Sequence, residues 1–178
     1  MQEFTNEIID IDLLPKYQEV GLNSPDPSYW KVILINISLC ALFMAIGLGF
    51  LFFFNEKTHP YLLYYIASFM LLFVFIFFIY KASFKKRGYV LREKDIIFKS
   101  GIIAESTAIV PLNRIQHVAL NEGVFSRMYG LATLQIHTAG GATGHIHIAG
   151  IPIYQANTIK EALLKKIDLL DDLVEENA

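Results

Sequence analysis

The run Tyr61–Arg87, YLLYYIASFMLLFVFIFFIYKASFKKR, decides how the rest of the chain is read. Its first twenty residues, Tyr61 to Tyr80, carry no charge, and Lys81, Lys85, Lys86 and Arg87 follow at once. At a rise of about 1.5 Å per residue they make a helix about 30 Å long, the thickness of a bilayer's hydrocarbon core. The stretch therefore predicts a membrane-spanning helix. Cytoplasmic flanks of such helices carry the excess of Lys and Arg, so the basic exit places everything after Arg87 in the cytoplasm.

A second apolar run lies just upstream. From Val32 to Phe54 there are twenty-three uncharged residues, preceded by Tyr29, Trp30 and Lys31, an aromatic and cationic anchor of the kind found at headgroup level. The connection Asn55–Pro60 is too short to hold a domain, so the two runs predict an antiparallel hairpin with both chain ends on one side. Lys57 alone faces the several basic residues after Tyr80, which puts those ends inside. Ala41, Ala45 and Gly49 recur every four residues and form a small-residue stripe for close helix packing, with the second span or another copy of the chain as partner. Neither run contains Asp, Glu, Lys, Arg or His, the groups that ion relays and intramembrane catalysis use. The first run starts about thirty residues in, behind an acidic segment, and does not read as a cleaved signal peptide.

The 54% hydrophobic content and mean hydropathy of +0.42 are thus concentrated between Val32 and Tyr80. The remainder after Lys81 has ordinary charge density and length for one small core. A formal charge of -2 gives no electrostatic case for nucleic acid, and none is expected as a partner. The single cysteine, Cys40, excludes a disulfide framework. The acidic segment before the hairpin has a partly alternating run at Ile8, Ile9, Ile11, Leu13 and Leu14, which fits either a docking strand or a loosely ordered tail. Asn23–Pro27 is a breaker cluster that ends it.

After Arg87 the pattern is that of short strands between turn signals: Tyr89–Leu91, Ile96–Phe98, Ile102–Val110, Ile115–Leu120, Leu131–Thr138 and 144–149, with a brief helical turn at Val124–Tyr129. This predicts an antiparallel sheet or partly closed barrel. Pairing Ile136 with Ile146 and Leu134 with Ile148 puts the apolar residues of the last hairpin on one face. The same register sets His137 opposite His145, with His147 two residues on, a candidate metal face whose plainer reading is polar filler. Beyond Pro152 the spacing of Ala156, Ile159, Leu163, Ile167 and Leu170 predicts an amphipathic helix that caps the sheet. Asp171, Asp172, Glu175 and Glu176 are unfavourable at a helix C-terminus, so an acidic tail is expected over 171–178.

The run Pro111-Leu112-Asn113-Arg114-Ile115-Gln116-His117-Val118, then Gly123, Arg127, Tyr129–Thr133 and Thr138–Gly140, resembles the signature of bacterial PH-like domains of the YdbS-like (DUF304) family. The resemblance implies a two-helix transmembrane hairpin followed by a mainly-β PH-like barrel with a C-terminal α-helix. Its expected divisions are an arm over 1–31, the hairpin over 32–80 (spans 32–54 and 61–80), the PH-like domain over 81–170 and the tail. It also implies a bacterial cytoplasmic-membrane address and partnership with longer relatives.

Read physically, Arg114, His117 and Arg127 form either a polar patch for a protein partner or anionic headgroup, or an internal brace, since such side chains are costly to bury unpaired. Lys85, Lys86 and Arg87 add attraction to anionic lipid. No nucleophile elbow, phosphate loop or zinc-protease helix is present, so neither an enzyme nor a cofactor is expected. The expected function is a membrane-anchored interaction or scaffold module that binds membrane lipid and another membrane protein, a PH-like relative or a second copy. The alternatives are an anionic-headgroup reader and, built on the histidine face, a metal-dependent enzyme.

Overall fold

A computed structural model describes residues 20–102, 104–139 and 145–176, with side chains of the last helix described as far as Lys166. Two long apolar helices come first, α1 (Tyr29–Phe54) and α2 (Leu62–Lys86), joined by a 3₁₀ turn over Glu56–Tyr61. Trp30 at the start of α1 stacks edge-on to Phe77 and beside Phe84 near the end of α2, while Phe52 meets Tyr65 at the other end, so the pair is antiparallel. Both helices are long and apolar enough to cross a membrane. Most of their large side chains, such as Phe43, Phe53, Leu63, Leu71 and Phe75, are exposed, as they must be if lipid rather than protein covers them. The turn closes locally: the Asn55 side chain accepts from the Lys57 amide, and His59 Nε2 lies 2.9 Å from the Phe52 carbonyl.

α2 does not stop at Tyr80. It continues through Lys86, because Lys81, Ala82, Lys85 and Lys86 are good helix formers and nothing before Arg87 breaks the pattern. The small-residue stripe does not produce the close approach expected of it. Ala45 and Gly49 line a groove of about 370 Å³ with Leu62, Tyr65, Ile66 and Phe69, and a methyl group placed on Gly49 would touch nothing. Aromatic pairs, Trp30 with Phe77 and Phe52 with Tyr65, make contacts between the helices instead.

The rest of the chain builds two antiparallel three-stranded sheets: β1 (Gly88–Leu91), β2 (Asp95–Ser100) and β3 (Ser106–Pro111), then β4 (Ile115–Asn121), β5 (Leu131–Thr138) and β6 (His145–Pro152). A short helix α3 (Val124–Met128) links β4 to β5, and α4 (Ile153–Glu176) follows β6 directly. β3 begins four residues later than the apolar run from Ile102 suggests. The chain first reverses at Gly101, whose φ of 116° no L side chain adopts comfortably and whose missing Cβ makes room for the Ala104 carbonyl. The last hairpin has the register that its apolar alternation demands, Leu134 opposite Ile148 and Ile136 opposite Ile146, and all four are buried. Ile96, Val110, Val118 and Ile151 join them in the core, where Ala156 and Leu163 of α4 close one end. Lys166 donates to the Glu93 carbonyl 2.6 Å away and ties α4 to the β1–β2 turn, which Arg92 and Asp95 clamp with a two-pronged ion pair.

α4 passes Leu170, where a separate acidic tail was expected, and ends at Glu176. In the sequence the apolar spacing carries on at Leu173 and Val174, which favours continuing the helix despite the acidic end. The alternating run at Ile8–Leu14 and the loop 140–144 lie outside the described residues.

The hairpin and the β domain meet at the first turn of α1. Val32 and Ile33 are buried, and Tyr29 lies flat against Gly150, which has φ of 81° and would drive any Cβ to 2.6 Å from the Tyr29 ring. Upstream, the Asp26 amide donates to the Gly150 carbonyl at 2.8 Å, and Asn23 forms a two-way antiparallel bridge with Tyr89 on the outer edge of β1. Part of the acidic arm is thereby a component of the domain. Gly150→Ala is expected to destabilise the detergent-solubilised chain by about 1–3 kcal/mol, from overpacking and a disfavoured φ. Gly47→Ala, which has open space, should leave the melting temperature unchanged or slightly raised. Equal melting of the two variants would contradict this junction.

Candidate functional site

The polar side chains singled out by sequence do not form one patch. Arg114 ends the 3₁₀ turn that precedes β4, and its carbonyl accepts from Ala139 at the far end of β5, 2.9 Å away. Arg127 sits on α3, just before the start of β5. The length of β5, eight residues or about 25 Å, separates them. Both arginines are exposed, so neither is an internal brace buried in the core.

His117 belongs with the other histidines instead. β4, β5 and β6 pair so that His117, His137 and His145 stand abreast across the sheet, with His147 two residues along β6. The His117 and His137 rings are 5.7 Å apart and those of His137 and His145 4.6 Å, and the two Nδ1 atoms of the latter pair lie 2.8 Å apart, one donating to the other. Partial burial first, then the neighbouring His145, His117 and His147, hold the His137 imidazole below its ordinary pKa. Among the described residues no set of three His, Cys, Asp or Glu is arranged to hold a metal ion. His137, in the middle of the row, is therefore the proton-sensitive member of this surface.

The basic residues at the end of α2 divide by role. Lys86 pairs with Glu105 at 3.0 Å, Lys99 reaches the other oxygen at 2.8 Å, and Lys86 also donates to the Ile102 carbonyl. This clasp fastens the β2–β3 turn to α2. Hydrogen bonds from Lys99 and then Lys86 hold the Glu105 carboxylate at about 2, well below its usual range. Lys85 is exposed, and Arg87 turns toward a cleft.

That cleft, about 470 Å³, opens between the β1–β3 sheet and β6. Tyr89, Phe98 and Ala108 stand abreast on three strands and form its floor, with Ser100 and Ser106 in the next row. Small Ala and Ser side chains leave the room. The opposite wall is β6 from His145 to Ala149, which among the described residues pairs with β5 on one side only. Pro25 and Arg87 close the end next to the hairpin. Sequence reading did not single out Phe98, Ser106 or Ala108; the available signal was a small residue cross-strand from a large one, and it required the β2–β3 register.

A family model described as "Bacterial PH domain" matches residues 32–167, which takes in both apolar helices, both sheets and most of α4. The chain belongs to the bacterial PH domain family. Within it, the chain is similar to the UPF0699 transmembrane protein YdbS of Bacillus subtilis (strain 168), 33% identical over 99 residues, which are 56% of this chain and 60% of YdbS. It is also similar to the UPF0699 transmembrane protein YdbT of the same organism, 29% identical over 96 residues, 52% of this chain and 20% of YdbT. The match thus spans about three fifths of one relative and one fifth of the other. No solved structure matches. The YdbS-like resemblance of the Pro111–Val118 motif is therefore met by the whole bacterial PH architecture of two apolar helices, two three-stranded sheets and a closing helix.

Two pH responses follow. The stabilisation from the Glu105 clasp is fully present above the ordinary carboxylate pKa of 4.5 and is lost as pH falls through about 2, so a carboxylate titration followed by NMR should place Glu105 near 2. Glu105→Gln should abolish that acid-side loss. His137 is depressed, so the folded form binds a proton less readily than the unfolded chain, and stability should decline as pH falls below about 6.5. His137→Gln should flatten that decline in a melting series between neutral and mildly acidic pH; an unchanged slope would show that the row is not its source.

Proposed function

We propose that this bacterial PH domain protein is a membrane-anchored, non-catalytic interaction module, and that the cleft beside β6 receives an extended segment of a second membrane protein. The observation that carries this reading is the pairing of β6, among the described residues, on one side only, alongside a cleft floored by Tyr89, Phe98 and Ala108. An unpaired strand edge offers a row of backbone donors and acceptors, and an apolar trough next to it takes alternate side chains of an added strand. Arg87 at the end of the cleft favours a segment that carries a carboxylate. The lipid-headgroup alternative draws less support from Lys86, which is already engaged by Glu105.

The two apolar helices support an address for the domain at the bilayer, and the excess of Lys81, Lys85, Lys86 and Arg87 over the lone Lys57 in the turn favours a cytoplasmic side for both chain ends and the β domain. YdbS and YdbT carry "transmembrane" in their names, which supports the membrane address. A 96-residue match that is only 20% of YdbT means that the relative is a much longer chain, and a longer PH-like protein is a natural source of the segment.

A photo-crosslinking residue at Ser106, exposed on the cleft side of β3, should give a discrete protein adduct in native bacterial membranes, and one at Gln116 on β4 should not. Ala108→Trp, which fills the trough, should remove the Ser106 adduct. Equal adducts at both positions, or lipid adducts alone, would count against a peptide-binding cleft.

A further inference from the structure

α3 turns an apolar face outward that the fold does not use. Phe125 and Ser126 face inward and are half-buried, whereas Val124, Arg127 and Met128 are exposed at the i, i+3 and i+4 positions of one helical face. Val124 is 76% and Met128 74% exposed, values far from those of the same residue types in the core. Tyr129 follows them, and Tyr154, 70% exposed at the start of α4, is brought to the same end because Ile153 donates to the Gly130 carbonyl at 2.9 Å. Two apolar side chains, two tyrosines and an arginine on one surface have the composition of a segment that lies in the headgroup layer of a membrane.

The position of α3 identifies what covers it. α3 lies against α1, and the Lys31 ammonium stands 5.8 Å from the centre of the Tyr129 ring. Lys31 immediately precedes the uncharged run that starts at Val32, and Trp30 beside it packs on Phe77 and Phe84 of α2. The end of α3 is therefore held level with the first turn of α1, at the depth where an apolar span enters the bilayer. A protein partner at this level would have to displace lipid from the same place.

We propose that the α3 face, Val124, Arg127 and Met128 with Tyr129 and Tyr154, is a lipid contact that seats the β domain on the bilayer crossed by its own two helices. Val124 and Met128 enter the boundary between headgroups and acyl chains, and the Arg127 guanidinium takes a lipid phosphate. The contact fixes how the domain stands on the membrane and leaves the cleft beside β6 available. It goes beyond the peptide-binding reading and does not depend on it.

The test uses the full chain in phosphatidylglycerol–phosphatidylethanolamine vesicles, with Cys40→Ala to remove the native thiol and an environment-sensitive fluorophore on Val124→Cys, Met128→Cys or Gln116→Cys in turn. Lipids spin-labelled just below the headgroup should quench most of the emission at positions 124 and 128 and leave position 116 bright. Adding Arg127→Gln to the Val124→Cys chain should weaken quenching in anionic vesicles more than in zwitterionic ones. Emission at 124 and 128 that is as insensitive to quencher lipid as at 116 overturns the proposal. So does shielding of these positions only in native membranes and not in vesicles, which would assign the face to a protein. Melting temperatures of the labelled chains matching the parent show that the readout comes from folded protein.

Discussion

The junction where Tyr29 lies on Gly150 is the contact on which the arrangement of the molecule depends. A residue with any side chain at position 150 would push β6 and α1 apart, because the nearest ring atom is 2.6 Å from where a Cβ would stand. With glycine there, the start of α1 is sunk into the β domain, and the backbone of Asp26 and Asn23 can reach β6 and β1. The domain is consequently not hung from a loose linker after α2. It is held at both ends of the hairpin, by Asn23, Asp26 and Tyr29 on one side and by the Lys86–Glu105–Lys99 clasp on the other.

That two-sided attachment constrains which surfaces remain for function. The edge of β1 is partly taken by Asn23, and α4 closes the opening between the sheets at the end near the β1–β2 turn. Among the described residues the trough along β6 stays open, where Ala108, Ser100 and Ser106 stand beside the larger Tyr89 and Phe98. The core itself is conventional in composition, with branched aliphatic side chains from both sheets and α4. That packing is interrupted by small side chains beside the edge of β6, and apolar side chains on α3 face outward.

Polar residues in this chain serve geometry more often than their spacing suggests. Lys86 is part of a basic cluster in sequence, yet it spends its charge on Glu105 and on the Ile102 carbonyl. His117 is twenty residues or more from the other histidines and becomes the neighbour of His137 only because β4 lies beside β5. Arg114 and Arg127, thirteen positions apart, are carried to opposite ends of β5 by the intervening strand and α3.

Sequence by itself determined the two apolar helices, the strand-rich domain and its closing helix, and the register of the last hairpin. These depend on runs and alternations within a few residues, such as Val32–Phe54 and the Ile136/Ile146 and Leu134/Ile148 pairs, where burying one face leaves a single arrangement. Only the tertiary structure decided that Gly101 ends one strand before Ser106 begins the next, that Gly49 has no close neighbour, and that Tyr29, Gly150, Glu105 and the cleft along β6 matter. Each of these is fixed by residues distant in sequence meeting in space, and local periodicity carries no record of which distant residue will be the neighbour.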